Sequence, residues 1–368
     1  MRNHLICVSH SPIADTLYPH FFLLWRLPTQ VMNKQHVVRT DRVEAISGEA
    51  HLHKQLCHPG ICRLLGTAQD TDNLYLLLEL LSGGELYSLL YEETSPITGG
   101  SGGMGEHYVR FFSGCVSLAL SFLHSLEPIV LYRDLKTENI VLDAHGYPKL
   151  VDFGNATRLR SFSNDTGASC SSAGGSRDVQ LSVQADGPRT FTLCGSPDYA
   201  APEMHRRGEG YGIQAEHWAF GVLLFEMLTG ELPFSDDDPM VTIEKILDAD
   251  IEWPREFCTN HPEATDLILR LLEPDTRMRL GCKISTTSCD TASSFASDTD
   301  AGFEAISQHK FFAGVEWDAL LLQTAQSPYT PAPLVANAFA IEDSDDSDVE
   351  QQECFDSEEG AYYDFKDF

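Results

Sequence analysis

The chain has 368 residues, of which 42% are hydrophobic and 22% charged, so it is long enough for one large globular domain or two ordinary ones. Its formal net charge of −30 argues against duplex nucleic acid as a partner, because that role needs Lys and Arg to neutralise phosphates. Ten scattered cysteines without a C-x-x-C pair favour free thiols in a reducing, cytoplasmic compartment, and the lack of 18 consecutive apolar residues argues against a membrane span.

The first sixty residues combine an uninformative segment with a predicted helical one. Residues 1–30 contain apolar patches without a clear period, and the first glycine of the chain is Gly48. Residues 31–60 are predicted to be helical, because their apolar positions recur on one broad face of a helix. These positions are Val43, Ile46, Leu52 and Leu56.

Strand and helix patterns alternate through the next part of the chain. "LYLLLELL" at 74–81 is a continuous apolar run followed by two glycines, which predicts a buried strand and a turn. Residues 85–126 are predicted to be helical, and "IVLY", "IVLD" and "PKLVDFG" then predict short strands. Beyond residue 203 the chain is predicted to be mainly helical, with "HWAFGVLLFEML" as its most apolar segment.

Three stretches differ in composition from the globular remainder. Residues 161–187 are rich in Ser and Gly and residues 285–300 in Ser and Thr, which is typical of flexible surface insertions. The tail at 342–360 is strongly acidic, as in a solvated and mobile tail. The chain nevertheless ends in "FKDF", and aromatic residues are unusual in such a tail.

The stretch "LYRDLKTENIVLD" at 131–143 concentrates ionisable and amide groups between apolar runs. Asn139 and Asp152 flank two predicted strands joined at "DAHGY", and a hairpin of that size brings them together as oxygen ligands for a hard cation such as Mg²⁺. Asp134 then lies one short loop away as a candidate base, and Lys136 supplies a cation for a phosphate. These groups favour phosphoryl transfer.

Three motifs in order carry a family resemblance. "YRDLKTEN", "DFG" and "APE" resemble the catalytic loop, the metal-binding motif and the end of the activation segment of protein kinases. "YRDLK" and "RTFTLCGSPDYAAPE" are similar to the AGC group, closest to the cyclic-nucleotide-dependent kinases, and "GYPKLVDFG" and "PFSDDDPMVTIEKIL" lean toward the cGMP-dependent branch. No cyclic-nucleotide-binding domain is recognised. The resemblance implies an α+β, two-lobed kinase-like fold with a truncated or altered small N-lobe, a mainly helical C-lobe and an AGC-type C-terminal tail.

The resemblance also implies a division of the chain into four segments. They are a non-family segment at 1–30, a remnant N-lobe at 31–84, a C-lobe at 85–312 that carries the two insertions, and a tail at 313–368. Phe365 and Phe368 in the terminal "FKDF" are implied to fold back onto the small lobe.

Catalytic roles follow from the same resemblance. Asp134 is implied to accept or orient the proton of the substrate hydroxyl, and Lys136 to contact the transferring phosphate. Asn139 and Asp152 are implied to hold Mg²⁺, and ATP is the implied nucleotide. Leu78, Glu79 and Leu81 match the positions that line the adenine, and Glu49 matches the glutamate that pairs with the phosphate-binding lysine of the family.

Regulatory and recognition roles are likewise implied by the resemblance. Thr192 matches the activation-loop phosphorylation site, where Arg133 would bind the phosphate, which implies an upstream activating kinase and, in this branch, a regulatory subunit. Glu85, Glu138 and Glu226 match the acidic positions that bind Arg before the target Ser or Thr of protein substrates. Because Glu226 lies in an apolar helix, it is expected to have a partner, either that substrate Arg or a cation of the protein.

Two further positions in the C-lobe match structural residues. Glu203 and Arg279 match an ion pair of the family's C-lobe. Glu216 stands where the family has Asp, and its longer side chain is expected to shift a hydrogen bond that braces the catalytic loop.

The N-terminal part departs from the family pattern. No glycine precedes Gly48, so the Gly-rich loop over the ATP phosphates is missing, and Gln30 occupies the place of the phosphate-binding lysine. Lys34 is nearby but is expected to point elsewhere in the strand register. Two interpretations stay open: a Ser/Thr protein kinase whose N-terminus is a variant or a misassigned start, or a weakly active or inactive kinase-like scaffold or regulator.

Overall fold

The structure is a computed structural model that describes residues 28–40, 42–99, 102–159, 189–206, 208–282 and 302–332. Both predicted insertions, the acidic tail, Phe365 and Phe368 lie outside the described residues, as do residues 1–27. The described residues fall into two compact units. The first comprises the residues through Cys57 together with Cys62–Ser82, and the second comprises His58–Ile61 and Gly83–Pro331.

Short strands and longer helices alternate along the described chain. The strands are β1 (Thr29–Asn33), β2 (Leu64–Gln69), β3 (Asn73–Leu78), β4 (Ile129–Leu131), β5 (Ile140–Leu142), β6 (Pro148–Leu150) and β7 (Thr157–Leu159). The helices are α1 (Lys34–Arg39), α2 (Val43–His53), α3 (Leu86–Tyr91), α4 (Glu106–Ser125), α5 (Pro202–His205), α6 (Ile213–Thr229), α7 (Pro239–Asp248), α8 (Phe257–Asn260), α9 (Pro262–Leu271), α10 (Phe303–Ser307) and α11 (Trp317–Leu321). Short 3-10 helices span Thr137–Asn139, Pro197–Tyr199 and Lys310–Phe312.

The first unit is built on an antiparallel sheet in the order β1-β3-β2. The apolar run at 74–81 contains the central strand β3, as predicted, but only every second residue of that strand is buried and the others are half-buried. Leu74 of that strand is fully buried and packs with Val37 of α1 and Ile46 of α2. This small apolar core holds α2 in the same unit as the sheet.

The helical prediction for residues 31–60 is correct only in part. Residues 43–53 form α2 with Ile46 and Leu52 buried, as the pattern predicts. Val31–Asn33 instead belong to β1, whose register with β3 pairs Val31 with Tyr75. Pairing with the central strand decides the conformation of these residues, because hydrogen bonds to a partner distant in sequence outweigh a local apolar period.

The second unit is mainly helical, with α4 and α6 as its buried elements. Nearly every residue of α6 is buried, and Trp218 stacks on Phe234 with ring centroids 5.4 Å apart. Helix α4 packs against α6, α10 and α11. The predicted helical segment 85–126 consists of α3 and α4 with a non-helical stretch between them. In that stretch Gly103 comes so near to the end of α6 that an added Cβ would lie 1.8 Å from the carbonyl oxygen of Leu228.

Strands and helices occur in both units, so the predicted α+β class is confirmed. Within the part of the chain that the structure describes, no helix is long and apolar enough to cross a membrane.

Candidate active site

The predicted hairpin around "DAHGY" is present, and it brings the backbone of Asn139 next to that of Val151, the residue before Asp152. Strand β5 pairs antiparallel with β6, with Ile140 opposite Leu150. Immediately beyond this pair the amide of Val151 donates to the carbonyl oxygen of Asn139 over 3.0 Å. Asp152 follows directly, in a left-handed conformation with φ of 53°, and its Oδ1 accepts from the amide of Gly154 at 3.1 Å.

Asp134 lies at the centre of a set of hydrogen-bond donors. Its side chain is buried, with the residue only 6% exposed. Asn139 Nδ2 donates to Asp134 Oδ2 over 3.0 Å, and Asn155 Nδ2 donates to the same oxygen over 3.2 Å. Ser196 Oγ donates to Asp134 Oδ1 over 3.3 Å. Donors on both oxygens fix the orientation of this carboxylate, as a positioned proton acceptor requires.

Lys136 supplies a positive charge next to that carboxylate. Its Nζ lies 3.4 Å from Asp134 Oδ2 and donates to Ser196 Oγ over 3.1 Å. The lysine is half-buried, so its charge is only partly screened by solvent. The carboxylate of Asp134, the ammonium group of Lys136 and the hydroxyl of Ser196 are thus in mutual contact.

The donor set around Asp134 fits magnesium at Asn139 and Asp152. Because Asn139 donates through its amide nitrogen, its carbonyl oxygen is oriented away from Asp134 and can serve as a ligand. Among the described residues no group of three His, Cys, Asp or Glu side chains is suited to a metal. Mg²⁺ is commonly held by one or two protein carboxylates together with substrate phosphates and water, so one carboxylate and one amide oxygen are a sufficient protein contribution.

Glu216 of α6 braces the backbone of the candidate catalytic loop. Its Oε1 accepts from the amide of Tyr132 and, over 2.8 Å, from the amide of Arg133. Its Oε2 pairs with His124 Nε2 at the end of α4. The longer side chain therefore still reaches two loop amides, and it anchors the loop to α4 as well as to α6. Glu216 is 4% exposed, so solvent cannot replace these contacts.

Glu216→Ala is expected to lower the free energy of unfolding by about 1–3 kcal/mol, because it leaves two buried amide donors unsatisfied. Since the same amides hold the loop that carries Asp134, kcat should fall together with the stability. Urea denaturation and a phosphotransfer assay measure the two effects. Glu244→Ala is the matched control, because Glu244 is an exposed residue of α7; equal behaviour of the two variants would contradict the bracing role.

Arg133 belongs to the candidate catalytic loop and is linked through Tyr211 to the segment that contains Thr192. It adopts φ of 68°, and its Nε donates to the carbonyl oxygen of Asn155 over 2.6 Å. The hydroxyl of Tyr211 donates to the Thr192 carbonyl oxygen over 2.5 Å and lies 3.5 Å from Arg133 Nη1. Thr192 itself is exposed. Close by, Gly195 approaches the loop so tightly that an added Cβ would lie 2.3 Å from the Arg133 carbonyl oxygen.

The three predicted substrate-binding glutamates differ in exposure. Glu85, which precedes α3, and Glu138 are exposed, whereas Glu226 is only 3% exposed. Glu226 accepts hydrogen bonds from the hydroxyls of Tyr91, Thr137 and Tyr199. The expected partner of Glu226 is therefore present among the described residues, but it is a set of hydroxyls rather than a cation.

Glu203 and Arg279 form a buried pair in the second unit. Arg279 Nη1 and Nη2 donate to the two carboxylate oxygens of Glu203 over 2.7 and 3.0 Å. Arg279 is fully buried, and Glu203 is 3% exposed. The two-pronged geometry joins the "APE" segment to the loop after α9.

The remaining predicted residues lie in the first unit. Leu78 is buried at the end of β3, whereas Glu79 and Leu81 are half-buried beyond it. Glu49 is buried in α2. Gln30 lies in β1, opposite Leu76 of β3.

Lys34 begins α1 instead of extending the strand. Its Nζ donates to Gln69 Oε1 over 2.8 Å and to the Asp70 carbonyl oxygen over 2.5 Å. Its charge is thus directed to the β2–β3 turn, although the reason is the start of a helix and not the strand register.

Several contributing side chains were not singled out from the sequence. They are His124, Asn155, Ser196 and the three hydroxyl residues around Glu226. Asn155 directly follows the "DFG" motif and Ser196 lies within "RTFTLCGSPDYAAPE", so their positions in these motifs were a usable signal. The hydroxyl residues come from three separate parts of the chain, and no local pattern joins them.

Comparison with known proteins identifies related sequences. Residues 29–289 match the family model described as "Protein kinase domain". The chain is 33% identical over 306 residues to a cAMP-dependent protein kinase catalytic subunit of Arthrobotrys oligospora, covering 82% of this chain and 47% of the relative. It is 33% identical to the cAMP-dependent protein kinase type 3 of Saccharomyces cerevisiae, covering 90% of this chain and 66% of that protein. It is also 33% identical to human cGMP-dependent protein kinase 2, covering 81% and 32%. The chain therefore spans between about a third and two thirds of the length of these relatives.

Proposed function

The chain belongs to the protein kinase family and is related to the cAMP- and cGMP-dependent kinases, and from this premise we propose that it transfers the γ-phosphate of ATP to Ser or Thr hydroxyls of proteins. The observation that carries the proposal is the buried carboxylate of Asp134, oriented by Asn139, Asn155 and Ser196 with Lys136 beside it. Phosphoryl transfer requires little covalent chemistry from the protein, so positioning and charge are the main contributions of such a site.

Each group has a distinct role in the proposed transfer. Asp134 orients the substrate hydroxyl and takes its proton, and Lys136 offsets the charge that develops on the transferring phosphate. Asn139 and Asp152 are the residues that would hold Mg²⁺. When bound, Mg²⁺ and ATP supply the phosphoryl group and partial neutralisation of its oxygens.

A basic sequence context is proposed for the substrate. Glu85 and Glu138 are exposed acids of the second unit, so both can pair with an Arg of an incoming peptide. The strongly negative chain, with its net charge of −30, favours cationic peptides at long range as well. One relative is named a catalytic subunit, and by analogy we propose that this chain also binds a regulatory subunit.

Phosphorylation of Thr192 by an upstream kinase is proposed to activate the chain. A phosphate there would add acceptors near Arg133, which already approaches the Thr192 segment through Tyr211. Thr192→Ala is expected to lower kcat about tenfold relative to the phosphorylated parent, because one or more charge-assisted hydrogen bonds are lost. Mass spectrometry establishes the phosphate, and a peptide assay before and after phosphatase treatment measures the effect. Thr259→Ala, at an exposed position of α8, is the control, and a phosphorylated parent no faster than Thr192→Ala would contradict the proposal.

A second candidate function is favoured by one observation. Gln30 lies in β1 opposite Leu76. By the sequence resemblance it matches the phosphate-binding lysine of the family, and an uncharged amide cannot replace an ammonium group. Loss of one such charge stabiliser typically lowers kcat about 10²–10³-fold. The alternative is thus a kinase-like scaffold that binds peptides with little or no turnover.

Two measurements distinguish these functions. If the chain binds the metal-nucleotide complex, saturating ATP with Mg²⁺ should raise the melting temperature, since a ligand at about 100 times its Kd stabilises by about 2.7 kcal/mol. Asp152→Ala should lose the Mg²⁺-dependent part of this shift, whereas Asp250→Ala, at an exposed position, should retain it. Phosphorylation of an Arg-Arg-x-Ser peptide by the parent but not by Asp152→Ala supports the kinase. Equal signals from both would rule out catalysis by this chain, and peptide binding without turnover would favour the scaffold.

A further inference from the structure

Three hydroxyl groups from separate parts of the second unit surround the carboxylate of Glu226; together they are called the hydroxyl cage. Tyr91 at the end of α3 donates to Glu226 Oε1 over 2.8 Å, and Thr137 donates to the same oxygen over 3.2 Å. Tyr199 donates to Oε2. The cage thus joins α3, the loop after Asp134 and the segment before α5 to a single side chain of α6.

The hydroxyl cage leaves little bonding capacity for a guanidinium group. A carboxylate offers about four lone-pair positions, two on each oxygen. The Tyr91 hydroxyl takes one position on Oε1 and the Tyr199 hydroxyl one on Oε2, and the Thr137 hydroxyl, which is also 3.4 Å from Glu138 Oε2, lies over the second position on Oε1. A two-pronged Arg pair needs an open position on each oxygen, so it cannot form unless a hydroxyl leaves Oε1.

Tyr91 is the member of the cage through which a ligand would have to pass. Thr137 is fully buried and Tyr199 is 7% exposed, whereas Tyr91 is half-buried. Burial raises the pKa of Glu226 to about 7, although the hydroxyls of Tyr199 and Tyr91 and that of Thr137 oppose the shift. A large fraction of the carboxyl is therefore neutral at neutral pH, which weakens its attraction for a cation further.

We infer that Tyr91 closes Glu226 to substrate arginine, so that Glu85 and Glu138 alone recognise basic residues and one Arg suffices. The inference rests on the proposed function, since it refines the peptide class that the site accepts. Tyr91 is a specificity-determining residue in this arrangement, and Glu226 is a structural acceptor that ties four segments together. Glu85 and Glu138 are exposed to solvent, unlike Glu226.

Peptide binding without ATP tests the inference separately from catalysis. Three fluorescent peptides differ only in the two residues at the basic positions: Arg-Arg-x-Ser, Arg-Ala-x-Ser and Ala-Arg-x-Ser. With the parent chain, the better single-Arg peptide should bind within about threefold of the double-Arg peptide. Tyr91→Ala should make the double-Arg peptide bind about tenfold or more tightly than either single-Arg peptide. Tyr87→Phe is the matched control, because Tyr87 lies on the same helix and stacks near Tyr91 at 4.7 Å but is 41% exposed.

The outcomes separate this inference from the proposed function. A parent chain that already prefers the double-Arg peptide by about tenfold over both others, and loses that preference in Glu226→Gln, would overturn the inference. An unchanged ratio in Tyr91→Ala, or no binding of any peptide to any variant, would overturn it as well. If the peptides bind in the expected ratios but none is phosphorylated, the inference is supported and the proposed kinase activity is contradicted. A melting curve for each variant confirms that it is folded.

Discussion

Asp134→Asn is expected to lower kcat for peptide phosphorylation by about 10²–10⁴-fold, the usual contribution of a positioned general base. The substitution preserves shape, and its remaining oxygen can still accept from one of the present donors. It removes the charge that Lys136 faces at 3.4 Å and one of the two oxygens of the proposed proton acceptor. Because the residue is 6% exposed, no water molecule readily substitutes for that oxygen. Steady-state phosphorylation of Arg-Arg-x-Ser, with the melting temperature recorded in parallel, measures the effect.

Asp237→Asn is the matched control for this experiment. Asp237 is exposed and lies before α7, so the same chemical change should alter kcat by less than about twofold. If Asp134→Asn is folded and retains more than about a tenth of the parental kcat, Asp134 is not the proton acceptor. Should the parental rate itself be at background level, the Mg²⁺-dependent melting shift still reports whether nucleotide binds.

The part of the site that sequence could predict is local in the chain. Asn139 and Asp152 lie at the two ends of one short hairpin, so counting residues through β5 and β6 is enough to bring them together. Asp134 and Lys136 lie in the same loop. For such residues the chain connection fixes proximity, and the motif order supplies the roles. The kinase fold expected from those motifs is confirmed by the family match over residues 29–289.

The part that sequence could not predict depends on distant packing. Glu226 was expected to meet a cation, but its partners Tyr91, Thr137 and Tyr199 come from three segments far apart in sequence. Thr137 and Tyr199 lie within motifs of the family and Tyr91 in a predicted helical segment, but nothing in the sequence connects any of them with Glu226. Charge alone predicts a cation beside a buried carboxylate. In the structure the carboxylate accepts hydrogen bonds from hydroxyl groups instead, and such bonds also satisfy a buried polar group.

The same distinction explains the first unit. The continuous apolar run of β3 is visible in the sequence as a strand, and every second residue of that strand is buried. The residues of β1 carry no such pattern and are strand only because β3 pairs with them. Long-range pairing therefore decides the structure of the strand that contains Gln30.

Arg279→Met is expected to lower the free energy of unfolding by about 3–5 kcal/mol, because it leaves the buried carboxylate of Glu203 without its counter-charge. The guanidinium also donates to the carbonyl oxygens of Glu273 and Gln214, over 2.9 and 2.7 Å, and lies 5.2 Å from the Trp218 ring. Arg279 is fully buried, so solvent cannot replace these donors. Methionine fills a similar volume without supplying any of them. Urea denaturation measures the change in the transition of the second unit.

Two companion variants make the interpretation of Arg279→Met specific. Arg277→Met removes a neighbouring arginine whose side chain is 74% exposed and pairs with Asp275 at 2.8 Å, so it should cost less than about 1 kcal/mol. Glu203→Leu combined with Arg279→Met should be more stable than Arg279→Met alone, since no isolated charge then stays buried. If the double variant is instead the less stable one, the loss comes from packing and backbone contacts rather than from an unpaired carboxylate. That result would mean that Arg279 stabilises the unit mainly through its hydrogen bonds to backbone carbonyl groups and not through its pairing with Glu203.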